Sequence, residues 1–339
     1  MAKHKRFPYI EAAGTNYEVG LVIGGKFKEI IQKSVNQRKN RIPDYQKLIL
    51  KTGLCFKATE SAFPHLIEEL KGMSDGAGVD IKDYFFMNNR EVYDEAEIWD
   101  SQFAVNPDHC TIAVSFGKNG TIVGHNEDWS LEALNQMYVL KATIGGNTFL
   151  GLQYADTIAG VVATINNWGL VQCINDLYQI NSGVGVPKNF LARAVLDCKS
   201  LDEVENLIKN TKRASGFNHV LVQGNEVRNF EIAGNQIDVI KTTDKPFVHT
   251  NHYLSDKIGH LEKFHTKSSE ERYQRAKELV KPNMTEEEMK ALLSDTKNNE
   301  YPICRADETV GSLVLLPNEK EVYVCYGHPC AGEYIKYQI

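Results

Sequence analysis

Apolar residues recur at spacings of three and four through Tyr17 to Val35, Pro43 to Lys51 and Thr59 to Gly72, which is the period of a helix with one buried face. The first stretch of about 100 residues is therefore predicted to be mostly helical. The texture then changes. From Cys110 onward come short β-rich runs: Thr111 to Phe116, Thr121 to Gly124, Tyr138 to Ile144, Thr148 to Gln153, Val161 to Ile165 and Gly169 to Cys173. Asn119-Gly120 between the first two predicts a hairpin, because both residues tolerate the positive φ of a type I′ turn. Two helical segments follow at Lys188 to Cys198 and Leu201 to Asn210, then strands at His219 to Val222, Arg228 to Ile232 and Ile237 to Lys241. A charged helical stretch from about Ser268 to Lys297 reads as a solvated face, and Thr309 to Leu316 with Glu321 to Tyr326 forms a last hairpin. Blocks of strands separated by a helical block predict two stacked sheets with helices outside, not a βαβ alternation.

A length of 339 residues gives a prior of about two domains. The 42% hydrophobic and 24% charged residues are ordinary for a globular chain, and the net charge of −6 argues against a broad nucleic-acid or anionic-membrane surface. The basic opening Met-Ala-Lys-His-Lys-Arg reads as a solvated tail. Phe7 to Gly14 makes no uninterrupted apolar core of a signal peptide, and no window approaches the roughly 18 apolar residues of a membrane span. Seven cysteines, an odd and sparse set, read as reduced thiols. The expectation is a cytoplasmic protein.

Cys110 opens an apolar, β-branched run after Asn106-Pro107-Asp108-His109. A cysteine there is either a small core residue or a nucleophile at a strand tip. "GHNEDW" (124 to 129), "GLVQCIND" (169 to 176), "HTNH" (249 to 252) and "PICRA" (302 to 306) also place polar side chains at the ends of apolar runs, where a scaffold exposes chemistry. In their order, together with "YEVGLVIGG" (17 to 25), "GVPKNFLARAVLDCKSLDEV" and "YGHPC", these strings resemble the acyl-coenzyme A:6-aminopenicillanic acid acyltransferase family of N-terminal nucleophile hydrolases. The resemblance implies an α+β, four-layer αββα sandwich. It implies a self-cut between His109 and Cys110, giving a helical segment 1–109 and a catalytic domain 110–339.

Cys110 would then be the nucleophile, with its own liberated α-amine as the base, since that amine has a pKa of about 7.7 to 8.0. Asp128 would bind the new α-ammonium. The side-chain amide of Asn251 and the backbone N–H of Asn175 would donate to the oxyanion of the tetrahedral intermediate. Arg305 would favour thiolate over thiol. Ser215 and Thr111 also fall on family-like positions and are left unassigned, and His109 stands where comparable members carry a small residue.

The implied activity is that of a linear amide C–N hydrolase or acyltransferase working through an S-acyl Cys110, with a small-molecule acyl amide or acyl thioester as substrate. The scheme needs no metal and no organic cofactor. It involves no nucleic acid and no membrane, and it leaves homo-oligomer formation open. With no Gly-rich phosphate loop and no Lys/Arg cluster beside the motifs, hydrolysis is favoured over acyl-CoA-dependent transfer to 6-aminopenicillanic acid. The alternative of another class is a non-catalytic or metal-stabilised binding protein, using Cys325, His328 and Cys330 with His249 and His252.

Overall fold

The computed structural model describes residues 5–42, 44–89, 109–118, 120–180 and 182–339. Among the described residues, five helices follow one short strand. They are α1 (Asn16–Lys26), α2 (Lys28–Arg41), α3 (Tyr45–Ala62), α4 (Pro64–Ala77) and α5 (Ile81–Met87). The strand, β1 (Tyr9–Gly14), was not expected from the helical texture of this region; it pairs parallel with β4 (Met137–Ile144) at the sheet edge. Pro43, Asn119 and residues 106–108 lie outside the described residues.

The expected two sheets are present. The first runs β1, β4, β5 (Asn147–Tyr154), β6 (Ala163–Asn166), β7 (Val171–Asn175), β8 (Asn218–Gln223), β9 (Glu226–Ala233) and β10 (Gln236–Thr243). The second runs β11 (Phe247–His249), β2 (Thr111–Gly117), β3 (Gly120–Asp128), β12 (Thr309–Leu316), β13 (Glu321–Tyr326) and β14 (Tyr334–Gln338). Three apolar layers bind them. Ile112, Val114, Val123, Leu152 and Val171 fill the space between the sheets. Tyr138, Phe149 and Phe230 of the first sheet pack under the N-terminal helices and under α6 (Lys188–Val195) and α7 (Leu201–Asn210). On the far side Ile122 and Val314 meet Ala276, Met289 and Leu293 of α8 (Lys267–Leu279) and α9 (Glu286–Leu293). The order is helix, sheet, sheet, helix: an αββα sandwich.

Gly20 and Gly24 of "YEVGLVIGG" have a packing reason. A side chain on Gly20 would run into the carbonyl of Glu69, and one on Gly72 into the carbonyl of Tyr17, so α1 and α4 touch backbone to backbone through interlocked glycines. The charged 268–297 stretch is two helices, and one face of α8 is buried rather than solvated, with Arg272 inaccessible. The cysteine expectation also needs correction. Cys304 and Cys330 are joined by a disulfide, while Cys55, Cys110, Cys173, Cys198 and Cys325 are buried thiols outside any disulfide. Spacing alone did not show this pair, because the bridge joins residues 26 positions apart on two loops that only the fold brings together.

Candidate active site

Register decides what Cys110 meets. The β2–β3 hairpin pairs Gly117 with Gly120 and Thr111 with Asn126, so the residue before Thr111 lies across from Glu127. On the other side, β11 pairs His249 with Ile112, which carries Asn251 alongside Cys110 two residues further on. Side chains alternate along a strand. Cys110 therefore shares the inter-sheet face of Ile112 and Val114, and His125 and Glu127 share that of Val123. Asn126 points the other way and donates to the carbonyls of Leu293 and Ile303. Two ionisable side chains at the end of an otherwise apolar layer are costly unless paired.

They are paired with each other and with the thiol. The Cys110 thiol donates to Glu127 Oε2 at 3.1 Å; His125 Nε2 lies 2.9 Å from the same oxygen, and Tyr154 of the facing sheet donates to Oε1 at 2.7 Å. Burial, and then the negative charges of Glu127 and Asp128, push the Cys110 thiol well above its ordinary range, with the Asp128 backbone amide pulling the other way.

The peptide bond before Cys110 is clamped. Arg305 Nη2 donates to the His109 carbonyl at 3.0 Å and to Asp128 Oδ2 at 2.9 Å, and its Nη1 meets Glu308. Thr309 supplies a hydroxyl to Asp128 Oδ1. The Cys110 carbonyl accepts from Arg272 Nη1 at 3.0 Å and from Asn175 Nδ2 at 3.2 Å. Arg272 also donates to Thr111 Oγ1 at 2.8 Å and to Asn251 Oδ1 at 3.0 Å. Asn251 Oδ1 accepts the His109 N–H at 3.0 Å, while its Nδ2 donates to the Asp176 carbonyl at 3.2 Å. The His109 ring reaches Tyr178 Oη at 2.9 Å and lies against Trp129.

All five residues singled out from the sequence thus fall in one place. The Asn175 side-chain amide reaches the Cys110 carbonyl, held there by contacts of its Oδ1 with His249 and Asn218. Glu127, His125, Tyr154 and Arg272 were not anticipated. Glu127 was inside a quoted motif, whereas Arg272 sat in a charged run that gave no sign of burial.

A cavity of about 190 Å³ opens on the thiol, with Met87, Val161, Ile174 and Phe217 as apolar wall. Among the described lining residues the charged ones are Glu127, Asp156, Asp176 and Arg38, and Asp176 is paired with the buried Lys188 ammonium at 2.7 Å. Two groupings of described residues bring three metal-ligating atoms together: Cys304, His328 and Cys330, and Cys110, His125 and Glu127. In the first, two sulfurs are already bonded to each other. In the second, the donors are already hydrogen-bonded among themselves. The set built from Cys325, His249 and His252 with His328 and Cys330 is not gathered; His249 instead bridges Asn175 and Glu231.

A sequence model described as acyl-coenzyme A:6-aminopenicillanic acid acyl-transferase matches residues 115–330. The chain belongs to this family. The matched region begins just after Cys110 and takes in Asp128, Asn175, Asn251 and Arg305. The beta-alanyl-dopamine/carcinine hydrolase of Drosophila melanogaster is 27% identical over 231 residues, which cover 62% of this chain and 59% of that protein's length. Among solved structures, a Caenorhabditis elegans N-acylethanolamine-hydrolyzing acid amidase ortholog has 21% identity over 61% of this chain and 93% of its own, with a TM-score of 0.45. A penicillin V acylase from Agrobacterium tumefaciens has 11% identity over 68% and 86%, with a TM-score of 0.48. Similarities of this size carry no weight for the site, and the layer order rests on the packing described above. No described helix is long and apolar enough to cross a membrane.

Proposed function

We propose that this protein is a self-processing cysteine amide hydrolase, in which Cys110 becomes N-terminal and carries the acyl group of a linear amide as a thioester. The observation that carries this reading is the clamp on the His109–Cys110 peptide: its carbonyl accepts from Arg305 while the thiol of the next residue stands against a buried carboxylate. A peptide bond held by a cation next to a thiol is arranged for attack, not merely for packing. The cut would yield polypeptides 1–109 and 110–339. The new α-ammonium would lie beside Asp128, and the α-amine would serve as proton carrier for turnover. In a substrate complex the scissile carbonyl takes the place of His109's, so Arg305 supplies a donor to the oxyanion.

Hydrolysis is favoured over transfer from a coenzyme A thioester because no Gly-rich phosphate loop and no Lys/Arg cluster stand beside the motifs. Asp156 on the cavity wall supplies a counter-charge for an ammonium. The Drosophila relative is by name a hydrolase of β-alanyl-dopamine and carcinine, and a β-alanyl amide carries such a group; a short cationic amide is the substrate class we propose. A cytoplasmic site of action goes with the buried thiols, and the Cys304–Cys330 bridge is the feature that runs against it.

Supplying β-alanyl amides and acyl thioesters, with and without acceptor amines, and weighing free acid against acylated amine tests the assignment. Free acid as the main product, lost in Cys110→Ala, is expected. Dominant transfer to 6-aminopenicillanic acid would establish the transferase instead.

A further inference from the structure

The amine that serves as base in turnover does not exist before the cut, because the Cys110 nitrogen is then part of the peptide bond being broken. The first reaction of the chain therefore needs another acceptor for the thiol proton. That need is acute, because the thiol is buried and does not ionise readily on its own.

Building on the self-processing reading, we propose that Glu127 is the general base of self-cleavage, with Tyr154 and His125 as the residues that position its carboxylate. Glu127 Oε2 is the acceptor of the thiol hydrogen bond at 3.1 Å, and Glu127 also lines the cavity that admits water. Its aim is fixed from two sides, by Tyr154 on Oε1 and His125 on Oε2. The other titratable groups around it are Asp128, the next residue, tied to Arg305 and Thr309, and Cys173 of the facing sheet, whose thiol is pushed up by burial and by Glu127's charge.

The step balances. The thiol proton moves to Glu127 Oε2 as the Sγ–C bond forms at the His109 carbonyl carbon, and the carbonyl oxygen takes the negative charge beside Arg305. Collapse breaks the bond between the His109 carbon and the Cys110 nitrogen, and protonated Glu127 returns its proton to that nitrogen. His109 is left as a thioester on Cys110. Water then hydrolyses the thioester, freeing the His109 carboxylate and restoring the thiol. Packing alone gives no reason for a carboxylate at this position of an apolar inter-sheet layer.

The test follows cleavage of the full-length chain from the moment of cell-free synthesis, by intact mass across a range of pH. It compares wild type, Glu127→Gln, Glu127→Asp, Tyr154→Phe, the double variant Glu127→Gln/Tyr154→Phe and the Cys110→Ala control. Glu127→Gln should be cut at least about 100-fold more slowly, with a residual rate that climbs with pH as hydroxide replaces the carboxylate. Glu127→Asp should recover part of the rate. Tyr154→Phe should slow cleavage when Glu127 is present and add nothing to the loss in Glu127→Gln, since the phenol acts only through that carboxylate. A folded Glu127→Gln protein cut at the wild-type rate would overturn the proposal, and so would a Tyr154→Phe slowing that persists undiminished in the Glu127→Gln background. A wild-type chain that turns over substrate while staying whole would instead defeat the self-processing reading on which the proposal rests.

Discussion

Replacing Arg305 by Met should separate two jobs that one guanidinium now performs. Its Nη2 donates both to the scissile His109 carbonyl and to Asp128, a carboxylate with no solvent exposure. Loss of the second contact leaves Asp128 with the Thr309 hydroxyl and no cation among the contacts given above, and breaking a buried pair in this way costs about 3–5 kcal/mol of stability. Loss of the first removes an oxyanion donor, which costs about 100- to 1,000-fold in rate, or about 2.7–4 kcal/mol. The double variant Asp128→Asn/Arg305→Met distinguishes them, because neutralising the stranded carboxylate should return most of the stability and none of the cleavage rate. Asp128→Asn alone keeps the guanidinium and the shape of the site, so cleavage should fall by no more than about tenfold. Urea unfolding of a Cys110→Ala background gives the stabilities without the complication of the cut; time-resolved intact mass of the Cys110 proteins gives the rates. Arg305→Met cut as fast as wild type would refute the claim that this carbonyl contact acts in the reaction.

Gly72→Ala should destabilise the protein by more than the roughly 1 kcal/mol range of ordinary substitutions, because the new methyl meets the Tyr17 carbonyl; a thermal melt unchanged from wild type would show that α1 and α4 can separate cheaply. Replacing Cys304 and Cys330 together by Ala should cost about 3.5 kcal/mol from the loop-closure relation for 26 residues, measured by urea unfolding, and should leave self-cleavage in place. His219 is buried and held down to about 3 by that burial, below its unfolded value of about 6.5. The unfolded chain therefore binds the extra proton, and stability falls with acid across that window by about 1.4 kcal/mol per pH unit from this group. His219→Gln should flatten the slope by that amount, and an identical slope in the variant would contradict it.

Most strands from Thr111 onward were legible in the sequence because each carries β-branched or apolar runs between turn signals; α7 matches its expected range residue for residue. The strand β1 was hidden in Tyr9–Gly14, a short edge segment with alternating burial, next to a long helical texture that set the reading of the region. The site was legible as a list of polar residues at strand ends, and Asp128 and Asn251 fall where that list put them. Glu127 was not legible as a partner of Cys110, and the turn explains why. Taking Asn119-Gly120 as the turn centre would place Trp129 across from Cys110. The actual ladder pairs Gly117 with Gly120, which puts Glu127 there instead. Arg272 was hidden for a different reason, since one buried face of a polar helix needs only a few positions and α8 is charged all round the rest. The Cys304–Cys330 pair depends on long-range geometry that spacing does not carry.

Intact mass of the purified wild-type protein, beside Cys110→Ala, tests the central claim most directly. The account predicts two polypeptides ending at His109 and beginning at Cys110 for wild type, and one unbroken chain for the variant. A single full-length chain in wild-type protein that hydrolyses its amide substrate would contradict it.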